Sequence, residues 1–464
     1  MIRTFDVINP ATGASVGAAP DANADEARAA IERSVAAFPL WKAKTAFERS
    51  EVLRRWRDLI LNNEDAIARL MTGEMGKPIS ESRGEVKYAA GFVDWYAEEG
   101  KRAYGDIMPT HLAHKRLFAT RQPVGPVYAV TPWNFPAAMV TRKVAPALAA
   151  GCTVVLKPAE QSPLTAVRLA ELWTEAGGHP DVFQVLTTSD PVAVSEPFFA
   201  DVRVRKLTFT GSTEVGKLLY AQAARTVKRV SLELGGHAPF IVFEDADISH
   251  AVTQVMATKF RNAGQTCVCA NRIYVHQSIR DAFIARMSDA VRALRVGDPT
   301  NEATQVGPLV DRAGLDKVSA HVADAVAKGA RAVVGGQARQ GLYFEPTLLV
   351  DVAAGMRILS EETFGPVAPV VGFSSESEVV TAANDTPYGL AAYLWTRDLG
   401  RAFRVSEALD YGIVGVNDGL PATPHAPFGG VKASGIGREG GRWGLDEYLD
   451  VKYVSIVLPE GLES

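Results

Sequence analysis

The sequence predicts an α/β fold of two doubly wound domains. Three features point to it: the length, helical periodicity over the first hundred residues, and short apolar runs that alternate with helix-length stretches from about residue 127. At 464 residues the chain is roughly three times the ~150 residues of one domain. With 47% hydrophobic and 22% charged residues and a mean hydropathy of +0.01, it has neither a membrane nor a disordered composition. A net charge of −4 excludes the basic excess that a nucleic-acid partner demands.

Taken in order, the segment NADEARAAIERSVAAF places Ala27, Ala30, Ile31, Val35 and Phe38 at three- and four-residue spacing behind an Asn23 cap, which predicts an amphipathic helix. AFERSEVLRRWRDLI repeats the pattern through Leu53, Trp56, Leu59 and Ile60, and a third periodic segment covers about 81 to 99. VYAVTP, GCTVVLKP, KLTFTG and APFIVF then follow as runs closed by Pro or Gly. Continuous apolar runs separated by helices suit a parallel sheet buried on both faces, whose ligands gather at the carboxyl ends of its strands. After residue 270 the alternation resumes with RIYVH, PTLLVDV, VAPVVGF, AAYLWT and GIVGVN, giving a second unit with a boundary near 236 to 250.

The opening MIRTFDVINPATG has no apolar signal core, and no run reaches the ~18 apolar residues of a bilayer span, so a soluble, cytoplasmic protein is expected. Cys152, Cys267 and Cys269 are too few for a disulfide framework or a four-ligand zinc set, and no metal is expected.

Two motif matches fail on context. GASVG (13 to 17) fits a nucleophile elbow but precedes any core strand. GSTEVGKL (211 to 218) fits a phosphate loop until Leu218 stands where Ser or Thr should hold magnesium. The second still places Ser212 at a helix start, a terminus that attracts phosphate, or else an ordinary cap. KPAE (157 to 160) puts Lys157 and Glu160 at a strand end. Glu160 can accept from a ribose diol and would repel a 2′-phosphate, which argues for NAD over NADP.

In KFRNAGQTCVCANR, Cys267 has Lys259, Arg261 and Arg272 nearby, a setting that favours a thiolate nucleophile; a buried apolar cysteine is the plain alternative. Glu233 in SLELGG is a general base or a satisfied edge carboxylate. Asn134 in PWNFP offers an amide donor for an oxyanion. Cys269 is either a resolving thiol for Cys267 or a packed small residue.

In the order PWNFP, KPAE, FTGSTEVGK, ELGG, GQTC, EETFGPV, PFGG, over about residues 5 to 455, the chain resembles the aldehyde dehydrogenase superfamily. The resemblance implies Cys267 as nucleophile, Asn134 and the Cys267 N–H as oxyanion donors, Glu233 as hydrolytic base and Lys143 as a proton-relay position. It implies cofactor contacts at Trp133, Lys157, Glu160, Gly211, Ser212, Gly216, Leu234, Glu362 and Phe364, with NAD preferred and NADP possible. It further implies a nucleotide domain (1–104 and 126–236), a catalytic domain (237–446) and a bridging element (105–125 and 447–464) that pairs subunits into a homodimer or homotetramer.

FRNAGQTCVCANR, TRKVAPALAAGCTVVLKPAE and PFGGVKASGIGREGG are similar to succinate-semialdehyde dehydrogenases. That similarity implies that Arg142 and Arg261 grip a terminal carboxylate, as paired guanidinium groups do well. In GLPATPH, Ala422 stands where many members have serine, and Thr423 is the expected substitute. The expected reaction is oxidation of a short aldehyde acid, succinate semialdehyde to succinate. Alternatives are glutarate semialdehyde or another ω-oxo acid, a nucleotide-independent cysteine hydrolase, or a non-catalytic scaffold.

Overall fold

A computed structural model describes residues 3–458; the part of the expected bridging element at 459–464 lies outside the described residues. The first expected helix runs Ala24–Lys42. Asn23 caps it by accepting from the Asp25 and Glu26 N–H groups, and Glu26 returns a bond to the Asn23 N–H. Its Ala27, Ala30 and Ile31 are buried. Helices Ala46–Asn62 and Ile79–Glu99 occupy the other two periodic segments. Between them lies Glu64–Met75, a helix unread in the sequence because its short apolar stripe abuts its neighbours. The first two helices pack against helix Pro163–Glu175, whose Trp173 meets Trp41 and Trp56 edge-on at 5.5 and 5.7 Å.

Two large sheets carry the fold. The six-stranded one has the spatial order 435–436, 229–233, 206–210, 127–130, 154–157, 183–185, with every neighbouring pair parallel except the first. Strand order reverses at 127–130, which lies between 206–210 and 154–157, so a crevice opens above the carboxyl ends of 127–130 and 206–210. Val127–Val130, Val154–Lys157 and Lys206–Thr210 are almost wholly buried, as their apolar runs require.

The seven-stranded sheet has the order 331–334, 347–350, 367–373, 270–276, 238–242, 391–395, 413–416, antiparallel only at 331–334. APFIV (238–242), which in sequence continues the first series of runs, pairs with 270–276 and 391–395 in this second sheet. In return, Gly435–Ile436 leaves the second unit and pairs with Leu232 and Glu233, so the interval 237–446 does not belong to one sheet. A separate three-stranded antiparallel sheet joins 106–108, 115–123 and 449–457. No described helix is long and apolar enough to cross a membrane.

Candidate active site

Asn262, Ala263 and Gly264 form a left-handed turn (φ 51°, 54° and 75°) that precedes Cys267. For the two residues with a Cβ this conformation costs on the order of 1–3 kcal/mol each. The surroundings hold it in place: the Glu81 carboxylate accepts from the Asn262 N–H (2.8 Å), Asn262 Nδ2 donates to the Asn134 carbonyl (3.1 Å), and the Val310 N–H donates to Gln265 Oε1 (3.0 Å). Glycine is required at 264, where a Cβ would lie 2.2 Å from the Gly365 carbonyl oxygen.

The turn delivers Cys267 to the partition between two cavities. One, of about 460 Å³, is lined by Trp133, Asn134, Gly211, Ser212, Glu362 and Phe364 among others. It is continued by a space of about 440 Å³ that shares Trp133, Gly211 and Ser212 and reaches Lys157 and Glu160. The other, of about 320 Å³, holds Arg142, Arg261, Tyr88, Phe135 and Ala422. A wider cleft of about 1110 Å³ beside the N-terminal hairpin has no cysteine, histidine or lysine in its wall and meets this system at Glu160, Gln161, Val310 and Asp311.

The first pair of cavities fits a dinucleotide. Ser212 caps helix Thr213–Ala224, whose free N–H groups face the cavity end where pyrophosphate would sit. Thr210 Oγ1 is buried there without a partner. Lys157 Nζ holds Glu160 Oε1 at 2.5 Å, leaving the other carboxylate oxygen for a ribose. Glu362 Oε1 accepts from the Gly236 N–H (3.0 Å), and burial pushes this carboxyl up to about 7. Trp133 and Phe364 meet edge-on at 5.7 Å. Gly216 lines none of these cavities: a Cβ there would lie 2.4 Å from Leu234, so it makes room for that side chain instead of touching a ligand.

The environment of Cys267 differs from the thiolate setting expected. Of the three cations nearby in sequence, only Arg261 reaches the cavity. Lys259 is turned to Asn271 Oδ1, and Arg272 donates to the carbonyls of His237, Ala382 and Ala383. Burial pushes the Cys267 thiol up to about 12 against the pull of Arg142 and Arg261. Cys269 is fully buried with its sulfur 3.6 Å from the Lys259 carbonyl, the geometry of a packed small residue.

Asn134 Nδ2 donates to the Gln265 carbonyl (3.0 Å), which fixes the amide and leaves its second hydrogen available. Glu233 ends strand Arg229–Glu233, buried, with Oε2 unpartnered. Burial, reinforced by the nearby Glu439 charge, lifts its carboxyl well above the ordinary range. Gly429 keeps this carboxylate its space, since a Cβ there would lie 2.8 Å from Glu233 Oε1.

Helix Ala138–Ala150 carries Arg142 and Lys143 as neighbours, which a helical turn of about 100° per residue aims in different directions. Glu439 reaches both: its Oε2 accepts from Arg142 Nε and its Oε1 from Lys143 Nζ, each at 2.5 Å. Lys143 lies against Thr208 (3.3 Å) and lines neither cavity that meets at Cys267. Arg142 stacks on Phe428 at 4.1 Å with Nη2 unpartnered, and Arg261 lies over Phe135 at 5.3 Å with Nε unpartnered. Thr423 is absent from the cavity wall; its hydroxyl lies 3.5 Å from His425 Nε2, and Ala422 faces the cavity. Sequence reasoning missed Glu439 and the helix 79–99 wall. Their contribution depends on segments nearly 300 residues apart meeting, and no local pattern encodes that.

Residues 2–454 match the aldehyde dehydrogenase family. The chain is 54% identical to the succinate-semialdehyde dehydrogenase [NADP(+)] GabD of Escherichia coli over 98% of this chain and 95% of that one. It is 52% identical to the glutarate-semialdehyde dehydrogenase of Pseudomonas putida, with 98% and 94% covered. The crystal structure of succinate-semialdehyde dehydrogenase from Burkholderia pseudomallei superposes with a TM-score of 0.97 at 51% identity, covering 98% and 95% of the two chains. Sheet order, a cysteine shared by two cavities and full-length similarity agree: the chain belongs to the aldehyde dehydrogenase family.

Proposed function

We propose that this enzyme oxidises a short aldehyde bearing a terminal carboxylate, succinate semialdehyde first among them, with NAD as the preferred acceptor. One observation carries the reading: Cys267 borders a small cavity in which two guanidinium groups, Arg142 and Arg261, each keep a buried nitrogen without a partner. Donors left unsatisfied in a closed space are costly, and a carboxylate satisfies both. Ala422 offers less bulk than a serine, which favours glutarate semialdehyde as the second reading; a relative of that name is 52% identical.

Substrate enters with its carboxylate on the arginines and its aldehyde at Cys267. The sulfur, losing its proton as it attacks, bonds to the carbonyl carbon, and the oxygen becomes an oxyanion held by the Asn134 amide and the Cys267 N–H. Trp133, Gly211, Ser212, Glu160 and Glu362 would hold the dinucleotide, which would supply the two-electron acceptor needed to take the cysteine adduct to the thioester. Glu233 then takes a proton from water, whose oxygen attacks the thioester carbon. The C–S bond breaks, and the acid leaves with Cys267 regenerated. Glu233 suits this step because its raised pKa brings its basicity closer to neutrality. A cysteine hydrolase would have no use for the cavity between Ser212 and Cys267.

Glu160 supports NAD, since a 2′-phosphate beside it would meet like charge. The sheet of 106–108, 115–123 and 449–457, with Ile107, Val451 and Tyr453 exposed, is the subunit-pairing element of a homodimer or homotetramer. The deciding experiment is kcat/KM for aldehyde acids of increasing length with NAD and NADP, in wild type and Arg261→Ala. Equal rates for unsubstituted alkyl aldehydes, unaffected by Arg261→Ala, would overturn the carboxylate reading.

A further inference from the structure

The carboxylate end of the substrate cavity lacks a side chain on one side. The loop there contributes Gly419, Leu420, Pro421 and Ala422, none with a polar side chain, and Thr423 is turned to His425. Across the cavity, helix Ile79–Glu99 presents Glu81, Gly84, Glu85 and Tyr88, a spacing of zero, three, four and seven that keeps all four on one face. Glu81 is engaged by the Asn262 N–H. Glu85 is engaged by Lys77 and by the N–H groups of Ala137 and Ala138. Tyr88 remains.

Its ring is held edge-on to Phe92 at 4.8 Å, so the hydroxyl has a fixed direction. Burial raises its pKa, which keeps it an O–H donor, against the pull of Arg142, which lies within hydrogen-bond reach of its oxygen, and of Arg261. A guanidinium has no lone pair to accept the tyrosine proton. Arg142 Nη2 and Arg261 Nε are likewise donors without acceptors in the same cavity. The tyrosine oxygen can accept from Arg142, but its proton finds no acceptor on either guanidinium, so N–H and O–H hydrogens from three elements border one cavity, and a carboxylate has two oxygens and about four lone-pair sites to accept them.

We propose that the Tyr88 hydroxyl is the third donor of the substrate-carboxylate site, supplied by helix 79–99 in place of the hydroxyl that the loop lacks at Ala422. The inference rests on the carboxylate reading above and makes Tyr88 a specificity-determining residue.

The test compares succinate semialdehyde with butanal, an aldehyde of equal length without the carboxylate, in wild type, Tyr88→Phe, Arg261→Ala, and Tyr88→Phe combined with Ala422→Ser. Tyr88→Phe is expected to lower the acid-to-butanal ratio of kcat/KM about tenfold, as loss of one hydrogen bond to a charged group does, with the change in KM. Inhibition by succinate should weaken in parallel, a readout independent of turnover. Adding Ala422→Ser to the Tyr88→Phe variant should recover several-fold of the ratio. A Tyr88→Phe ratio equal to wild type, whether both substrates decline together or neither does, overturns the proposal. Wild type that prefers the acid and loses the preference in Arg261→Ala but keeps it in Tyr88→Phe overturns Tyr88 alone. No acid preference in wild type overturns the carboxylate reading with it.

Discussion

The two large sheets meet the cleft by opposite edges. In the six-stranded sheet, the residues that face it follow their strands: Trp133 and Asn134 after 127–130, Glu160 after 154–157, Gly211 and Ser212 after 206–210. In the seven-stranded sheet they precede them: Cys267 before 270–276, and Glu362 and Phe364 before 367–373. The first arrangement is what a doubly wound sheet offers any ligand at its topological switch point. The second exists only because another domain is docked against that edge. The cleft is therefore walled on one side by residues that follow their strands and on the other by residues that precede them, and Cys267 sits where the two edges meet.

The sharpest way to break that division is Cys267→Ala. Aldehyde oxidation should fall by about 10⁴-fold or more, as for removal of a covalent nucleophile, while dinucleotide binding read by tryptophan fluorescence stays intact. Loss of binding as well would mean that Cys267 itself helps hold the cofactor. Glu233→Gln tests a group that ends a strand of the first sheet but serves the chemistry of the second. Steady turnover should drop about 10²–10⁴-fold with a burst of reduced nucleotide preserved, because only hydrolysis needs the base. An absent burst would assign Glu233 to the earlier step.

Glu439→Gln probes the joint itself. Arg142 and Lys143 would lose their shared buried counter-charge, and loss of one partner from such a group costs on the order of 3–5 kcal/mol of stability, measurable by denaturant unfolding. The same substitution also acts on catalysis. Glu233 must be ionised to accept a proton, so turnover rises with pH through its raised pKa. Removing the Glu439 charge that helps raise it should move that rising limb to lower pH. A limb that stays in place would show that Glu439 acts through packing alone. The smallest effect is expected at the far end of the first sheet: Glu160→Ala should narrow the preference for NAD over NADP by about tenfold, the worth of a charged hydrogen bond, with little change in turnover of saturated enzyme. An unchanged ratio would place the discrimination elsewhere.

Much of the first sheet was legible in the sequence because its rules are local. A buried strand reads as an apolar run, its carboxyl end as the punctuation that follows, and Ser212 as both a cap and a phosphate terminus. Asn23 and its helix were legible for the same reason. APFIV was harder to assign: periodicity cannot tell which of two sheets will pair with a strand. Lys259 and Arg272 were read as activating Cys267 because they are close in sequence, yet a strand and a helix end turn them to Asn271 and to backbone carbonyls.

The sequence by itself determined the apolar strands of the first sheet, the residues that end them and the family to which the chain belongs, since a strand and its closing residues follow from nearest neighbours along the chain. Tertiary structure alone decided the surroundings of the side chains at the site. Burial raises the Cys267 thiol against the pull of two arginines, Glu439 raises Glu233 from a distant segment, and Tyr88 rather than Thr423 lines the cavity with the arginines. Desolvation and charge pairing depend on what the fold packs around an atom, and around Cys267 it brings Arg142, Glu362 and Glu233 from three other segments.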